Sequence, residues 1–308
     1  PTPAMAPFDS PRLIADIGGT FARFAVESAQ GEFTRVASLR CADHADFHAA
    51  VRAFLATVPP LGIRHAAVAI ANPVEGDQVR MTNYHWQFSI EEMRQRLGLD
   101  TLVVVNDFTA LAMALPRLRP HEVRQVGGGE ALALSLPDLR PSQLRCHGAA
   151  PQPRGTLCVI GPGTGLGVAG ITQTAQGWVA LPGEGGHATL AALDDFEAAL
   201  LAQVRRRFDH VSAERLLSGI GLPVLHGAVA AVTGAADPGT PTAEEVVARG
   251  LSGQDACCRQ TLETFCALLG SFAGNVALTL GARGGVYIGG GIVPRLGDLF
   301  FSSAFRAR

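Results

Sequence analysis

Lysine is absent from the 308-residue chain, so all 25 basic residues are arginines. A P-loop needs a lysine that reaches the nucleotide phosphates, and a protein kinase needs a lysine on one of its strands. Enzymes that work through a Schiff base need a lysine nucleophile. The absence of this one residue type therefore excludes all three classes.

Long apolar runs and a secretion signal are also missing. No run of 18 or more apolar residues occurs, whereas a helix that spans a membrane needs about 20. Residues 1–11 are rich in proline and lack a basic region followed by an apolar one. We therefore expect a loose, flexible tail at residues 1–11 and no membrane partner.

Cysteine pairs and blocks of like charge are missing as well. The chain has six cysteines without a C-x-x-C pair, and its formal net charge is −2. We expect free thiols in a reducing cytoplasm and no nucleic acid partner. The cysteines are Cys41, Cys146, Cys158, Cys257, Cys258 and Cys266.

The first part of the chain alternates predicted strands and helices, which is typical of an α/β domain. Segments 13–17 and 21–26 flank a glycine turn and predict a hairpin. Ser89, with Glu92 three residues on, predicts a helix N-terminus. The other predicted strands are 66–71 and 102–105, and the predicted helices are 43–56, 89–97 and 108–115.

The second part begins with the same pattern. Residues 127–154 are rich in Pro, Gly and Ala and predict a crossing loop between domains. Strands at 157–160 and 168–171 then flank another Gly-Thr turn, so that placing Thr20 over Thr164 aligns the two hairpins. A hydrophobic content of 47% is enough for two such cores. Further predicted elements are helices at 196–207, 213–217, 243–251 and 255–280 and a strand at 286–288.

Three glycine-rich turns follow apolar strands. Glycine lets backbone N–H groups approach an anion closely, so such turns bind phosphate without a lysine. The alternative for any one of them is a tight hairpin without a ligand. Asp16, beside the first turn, suits Mg²⁺ held through water, or else it caps the turn amides. The turns are Gly18-Gly19-Thr20, Gly161-Pro162-Gly163-Thr164-Gly165 and Gly289-Gly290-Gly291.

Asn106 and Asp107 lie where a buried strand meets a helix. In open α/β sheets, ligands bind outside the carboxyl ends of the strands. An aspartate at this place is a candidate general base, and the alternative is that Asp107 only caps the helix.

Glu184 and His187 stand among three glycines, a density that indicates an unusual backbone path. They form a candidate hydrogen-bonding pair for a polyhydroxylated ligand. A zinc site is the alternative, but no cysteine pair follows within about 40 residues. His44 and His48 are predicted to lie four apart on one helix and to face solvent.

A dinucleotide fingerprint is formally present at Gly165, Gly167 and Gly170. In a nicotinamide-binding protein this turn opens a helix, whereas residues 168–179 here predict strand, turn and strand. A fluorescence titration with NAD would test this alternative.

Seven segments of the chain resemble segments of bacterial glucokinases and follow one another in the same order, over residues 12–300. The family resembles hexokinases and actin in fold, which implies an α/β, actin-like ATPase (ribonuclease H-like) architecture with ATP in a cleft between two domains. We expect the smaller domain at 12–117 and the larger at 118–308. The segments are Asp16-Ile17-Gly18-Gly19-Thr20, Met81-Thr82-Asn83, Asn106-Asp107-Phe108-Thr109-Ala110, Gly163-Thr164-Gly165-Leu166-Gly167, Leu181-Pro182-Gly183-Glu184-Gly185-Gly186-His187, Ser212-Ala213-Glu214-Arg215-Leu216-Leu217-Ser218-Gly219 and Gly289-Gly290-Gly291-Ile292-Val293-Pro294-Arg295.

The resemblance implies roles for individual residues in transfer of phosphate from ATP to glucose. Asp107 would take the proton from the 6-hydroxyl of glucose, and Mg²⁺ would lie near Asp16. The residues implied to hydrogen-bond the sugar are Asn106, Asp107, Glu184, His187 and Glu214. Those implied to contact the nucleotide are Ala15, Asp16, Ile17, Gly18, Gly19, Thr20, Gly163, Thr164, Gly289, Gly290 and Gly291.

The sequence departs from the family pattern at two places. Phe21 stands where the family usually has Asn, and the family continues past Arg308 with a further strand and helix. We expect this chain to continue likewise. The resemblance also implies a cytoplasmic homodimer. A sugar-binding regulator on the same fold would need a helix-turn-helix and a basic face, for which the proline-rich start leaves no room.

Overall fold

The computed structural model describes residues 10–81, 84–126, 134–135, 143–146, 155–235 and 239–308. Their contacts divide the chain into two compact units, Pro1–Leu111 and Ala112–Arg308, whereas the sequence predicts a domain boundary after residue 117. Most of the predicted tail, and Thr82 and Asn83 of the second family segment, lie outside the described residues.

The first unit is built on a sheet of five strands in the order β3-β2-β1-β4-β7. Strand β1 pairs antiparallel with β2 and parallel with β4, and β4 pairs parallel with β7. The carboxyl ends of β1, β4 and β7 therefore lie along one edge. The strands are β1 (Arg12–Ile17), β2 (Phe21–Ala29), β3 (Glu32–Arg40), β4 (His65–Ile70), β5 (Gln78–Arg80), β6 (Gln87–Ser89) and β7 (Thr101–Asn106).

Helices of this unit begin at capping side chains, because the first amides of a helix lack partners within it. Ser89 Oγ accepts a hydrogen bond from Glu92 N at 3.0 Å, as predicted. Asp46 Oδ1 accepts from Ala49 N at 2.6 Å, which starts the first helix later than residue 43. His44 therefore precedes that helix, and the prediction that His44 and His48 lie on one helix is wrong. The helices are α1 (Phe47–Leu55), α2 (Ile90–Arg96) and α3 (Asp107–Ala114).

The second unit contains a sheet of seven strands in the order β13-β12-β11-β14-β9-β10-β8. Strand β11 pairs antiparallel with β12 and parallel with β14, as β1 pairs with β2 and β4. Two strands fall within 127–154, which the sequence predicts as a loop. They are too short to show periodicity, and their pairing with β14 sets their conformation. The strands are β8 (Val123–Gln125), β9 (Leu134–Ser135), β10 (Gln143–Cys146), β11 (Leu157–Pro162), β12 (Leu166–Thr174), β13 (Gly177–Leu181) and β14 (Gly285–Ile288).

The helices predicted at 196–207, 243–251 and 255–280 are present, the one predicted at 213–217 is not, and the two short helices after residue 292 were not predicted. Residues 213–217 form turns, because Ala213 N donates to Ala188 O at 2.9 Å and Glu214 N to Gly186 O at 2.8 Å. These amides thus bond to another segment and not within a helix, and the predicted helix there is wrong. The helix that follows was not predicted. The helices are α4 (Asp195–Arg205), α5 (Leu222–Thr233), α6 (Ala243–Ser252), α7 (Ala256–Leu280), α8 (Val293–Leu296) and α9 (Asp298–Ser302).

The central helix of this unit is α7, which Asp255 caps at its start and Gly281 ends in the left-handed conformation. Within the described residues it is the one helix long and apolar enough to cross a membrane. Of its most apolar window, 67% is buried inside the structure. Phe265, Leu268 and Phe272 pack into the main hydrophobic cluster of the unit, as in the core helix of a folded domain.

Candidate active site

The first glycine turn connects β1 and β2. Gly18 N donates to Phe21 O at 2.9 Å, and Cys41 N donates to Thr20 O at 2.9 Å. The Cys41 thiol lies beneath the turn, 3.4 Å from Gly18 O, and burial raises its pKa. The turn is thus fixed from below while Thr20 is exposed.

Ala15 and Ile17 precede this turn and are buried in the core. Their side chains therefore face away from any ligand, and only their backbone is placed to contact one. Asp16 lies between them and is 46% exposed, with its Oδ2 2.9 Å from Arg23 Nη1.

Asp16 is the candidate for holding Mg²⁺. Its second carboxylate oxygen has no hydrogen bond among the described residues. Within the same part of the chain no group of three His, Cys, Asp or Glu side chains is placed to hold a metal. Mg²⁺ commonly keeps several waters and binds one or two carboxylates plus substrate phosphates. A single exposed carboxylate fits that kind of site, with Arg23 as a competitor.

Asn106 and Asp107 lie at the carboxyl end of β7 and the start of α3. Asn106 Oδ1 accepts hydrogen bonds from Phe108 N at 2.9 Å and Thr109 N at 3.2 Å. Its Nδ2 donates to Asn72 O at 3.3 Å. Asn106 is thus the principal helix cap, and Asp107 contributes to the capping only at the Phe108 amide. Asp107 is half-buried in the first turn, where its Oδ1 shares the Phe108 amide at 2.9 Å.

The second glycine turn connects β11 and β12. Gly163 N donates to Gly165 O at 2.8 Å, and Gly219 N donates to Gly163 O at 2.7 Å. The third turn lies beside it, because β14 is parallel to β11. Gly289 N donates to Ile160 O at 2.8 Å, and Gly290 has a φ of 79° directly against Pro162 O, where a Cβ would collide.

A pocket of about 350 Å³ opens beside these two turns, within the second unit. It is lined by the two glycine turns and by the N-terminal ends of helices α5, α6 and α8. Of the predicted residues it contains Gly163, Thr164 and Gly291; the others were not predicted, although Gly219, Ile292 and Arg295 lie within the segments of the family resemblance. The lining residues are Gly163, Thr164, Gly219, Leu222, Ala243, Glu244, Val247, Gly291, Ile292 and Arg295.

Glu184, His187 and Glu214 come together in the second unit, as predicted for a polar cluster. His187 Nε2 lies 4.0 Å from Glu184 Oε2, and its Nδ1 lies 3.9 Å from Glu214 Oε1. The side chains of Glu184 and His187 are 59% and 61% exposed. Two carboxylates flanking an imidazole offer acceptors and a donor to a ligand with several hydroxyl groups.

Glu214 is the most buried member of this cluster, 27% exposed. Its Oε2 accepts a hydrogen bond from Leu166 N at 2.8 Å, at the first residue of β12. Gly186, whose carbonyl accepts from Glu214 N at 2.8 Å, lies against Leu166 O so closely that a Cβ would collide. The dense glycines therefore let this segment pass directly over β12, which brings the cluster next to the second turn.

The fold is shared with solved sugar kinases. A glucokinase from an Antarctic psychrotroph matches with a TM-score of 0.84 and 37% identity over 97% of this chain and 88% of its own. A ROK family glucokinase from Streptomyces griseus, solved in complex with glucose and AMPPNP, matches with a TM-score of 0.57. Its identity is 18%, with coverage of 95% and 88%, so it supports the fold alone.

The sequence comparisons assign the family. The glucokinase family model matches residues 13–308. The glucokinase of Chromobacterium violaceum is 53% identical over 298 residues, which are 97% of this chain and 80% of the relative. The chain belongs to the glucokinase family, as its segments predict.

Proposed function

We propose that this chain transfers the γ-phosphoryl group of ATP to the 6-hydroxyl of glucose, with Asp107 as the general base. Membership of the family and the names of its relatives support the reaction. The Streptomyces griseus glucokinase, which shares the fold, was solved with glucose and AMPPNP, and this is why these two substrates are proposed.

The capping of α3 by Asn106 is the observation that carries the role of Asp107. Because the neighbouring side chain satisfies the first amides of the helix, the carboxylate of Asp107 is not required as the cap. It stands at the carboxyl end of a strand, where α/β sheets bind ligands. Phosphoryl transfer needs a carboxylate that orients the attacking hydroxyl and takes its proton.

The sugar is proposed to bind the cluster of Glu184, His187 and Glu214. Carboxylate oxygens accept hydrogen bonds from hydroxyl groups, and the exposure of Glu184 and His187 leaves them open to a ligand. Asn106 would contribute its amide nitrogen, because its oxygen is engaged in the helix cap.

The nucleotide is proposed to bind the glycine turns, with its phosphates on backbone N–H groups of Gly18, Gly19, Thr20, Gly163 and Thr164. Gly289–Gly291 would lie beside the nucleoside, since Gly291 lines the pocket next to the second turn. Mg²⁺, held through water by Asp16 and by the phosphates, would neutralise part of their charge. The shortage of cationic side chains on these turns makes backbone donors the main protein contribution.

We also propose the finer features that the family resemblance implies. These are an actin-like, ribonuclease H-like fold, binding of both substrates in a cleft between the two domains, and a cytoplasmic homodimer. Binding in a cleft would exclude water, which otherwise competes with glucose as the phosphoryl acceptor.

The replacement Asp107→Asn tests the proposal, with Asp100→Asn as a matched control. Asp100 lies directly before β7, at the other end of this strand from Asn106 and Asp107, and pairs with the exposed Arg64. In a coupled assay of ADP formation with glucose, we expect Asp107→Asn to lower kcat by about 10²- to 10⁴-fold and Asp100→Asn to leave it unchanged. Circular dichroism and melting curves check the fold of both variants. Full activity of folded Asp107→Asn would remove this residue from its role.

A further inference from the structure

Two oppositely charged side chains, Glu244 and Arg295, line the pocket beside the second glycine turn. Glu244 is in the first turn of α6, and Arg295 is in α8. A carboxylate inside a pocket proposed to bind an ATP nucleoside needs an explanation, because it repels the phosphates of that ligand.

Neither side chain is used to hold the protein together. Among the described residues, the side chains of Glu244 and Arg295 have no ion pair or hydrogen bond, with each other or with another residue, and both residues are exposed. The adjacent Glu245 differs in this respect. Its Oε2 accepts from Thr242 N at 2.8 Å, and its Oε1 lies 3.4 Å from Arg249. Glu245 therefore completes the start of α6, and Glu244 does not.

The pocket is lined by glycine turns and, from other elements, by charged and apolar side chains. The turn at Gly163 and Thr164 is held to the segment before α5, because Gly219 N donates to Gly163 O at 2.7 Å. Glu244 and Val247, one helical turn apart, line the pocket from a different element, α6. Leu222, Val247 and Ile292 supply the apolar surface that a base requires.

A carboxylate in this position accepts hydrogen bonds and donates none. The neutral donors of ATP are its ribose hydroxyls and the exocyclic amino group of adenine. Glu244 is exposed in the free protein, and a nucleoside bound in the pocket would cover it. A site that bonds a donor group of its ligand rejects an analogue lacking that group, because the covered partner is then left unpaired.

We infer that Glu244 is a specificity-determining residue for the phosphoryl donor, and that it accepts a hydrogen bond from a neutral donor group of the nucleoside. The inference rests on the proposed function, since it takes ATP as the ligand of this pocket. Its role is to select among nucleotides, and it takes no part in the transfer.

The test compares ATP with three analogues that each lack one donor group. 2′-Deoxy-ATP lacks the 2′-hydroxyl, 3′-deoxy-ATP lacks the 3′-hydroxyl, and ITP lacks the amino group of the base. We expect Glu244→Ala to lower kcat/KM for ATP roughly tenfold, mainly through KM, because the contact exists before and during the transfer. The loss should vanish for whichever analogue lacks the bonded group. Glu245→Gln, the matched control, should lower the melting temperature slightly and leave the preferences among nucleotides unchanged.

An equal loss for ATP and all three analogues, or no loss for any of them, would overturn the inference. Calorimetric measurement of Kd for the same four nucleotides gives a second readout that needs no turnover. A wild-type protein that fails to phosphorylate glucose would contradict the proposed function, whereas the Kd values would still decide whether Glu244 selects the nucleoside.

Discussion

The two glycine-threonine turns share a backbone design but differ in their surroundings. Each connects an antiparallel hairpin whose first strand also pairs with a parallel strand. The turn at Gly18–Thr20 has a buried thiol beneath it and a carboxylate, Asp16, beside it. The turn at Gly163–Gly165 instead forms part of a pocket with Gly219, Ile292 and α6.

Turns with the same Gly-Thr sequence therefore lie in different chemical surroundings in the two units. Both turns offer backbone donors, but the second unit adds apolar walls that can enclose a nucleoside. The first unit adds carboxylates at the ends of β1 and β7, namely Asp16 and Asp107, which suit a metal ion and a reacting hydroxyl. The following predictions test this division, beginning with the largest expected effect.

Replacement of Gly290 should disrupt the contact between the third glycine turn and the end of β11. Gly290 has a φ of 79°, and an added Cβ would collide with the carbonyl of Pro162 at the end of β11. We expect Gly290→Ala to lower the free energy of unfolding by about 3 kcal/mol, as measured by urea denaturation. Gly227→Ala, in α5 with no atom within 4 Å of the new Cβ, is the control and should be neutral or slightly stabilising.

Alanine in place of the turn glycines should separate the contributions of the two turns. A Cβ at Gly163 meets no atom within 4 Å, and one at Gly18 meets Phe21 O at 3.6 Å, an ordinary contact. Both variants should therefore fold. Because Gly163 lines the pocket, we expect Gly163→Ala to lower kcat/KM for ATP roughly tenfold and Gly18→Ala to lower it less. The reverse order would assign the nucleotide mainly to the first turn.

The smallest expected effect concerns acid stability in the two units. The hydrogen bond with Ser89 lowers the pKa of Asp77 in the first unit, and the amide of Cys258 lowers that of Asp255 in the second. A folded-state pKa below the unfolded value of about 3.9 gives stability above that pH, which is lost as the pH falls. Asp77→Asn and Asp255→Asn should each make the melting temperature less sensitive to pH below about 4.

Two separate melting transitions would show that the units unfold independently, if each substitution reduces the pH dependence of the melting temperature of only one of them. A single transition whose pH dependence is reduced by both substitutions would show cooperative unfolding. A pH dependence that neither substitution changes would contradict the proposed role of these carboxylates.

Much of the fold was predictable because its strands are apolar and end at glycine turns, as at Gly18 and Gly163. Segment 213–217 was predicted wrongly because its first two amides, those of Ala213 and Glu214, bond to residues 188 and 186, a contact that no local pattern records. The short strands β9 and β10 contain too few residues to show an alternation. In these places tertiary contacts outweigh local propensity.

The candidate site was predictable where chemistry and family resemblance coincide. The cluster of Glu184, His187 and Glu214 forms as expected, although Glu214 follows from the resemblance alone. The capping role of Asn106 was not predicted, since Asn and Asp are equally good caps and only the geometry distinguishes them. Glu244 escaped prediction because it enters the pocket from α6, a helix with no local sign of a ligand.

Glu214 has a consequence for how the two ligands influence each other. One of its oxygens holds the first amide of β12, directly after the second glycine turn, and the other lies 3.9 Å from His187 Nδ1, in the cluster proposed to bind the sugar. A ligand that shifts this carboxylate from one side changes the energy of the other side. Thermodynamic linkage is reciprocal, so glucose would change the affinity for nucleotide by the same factor as nucleotide changes the affinity for glucose.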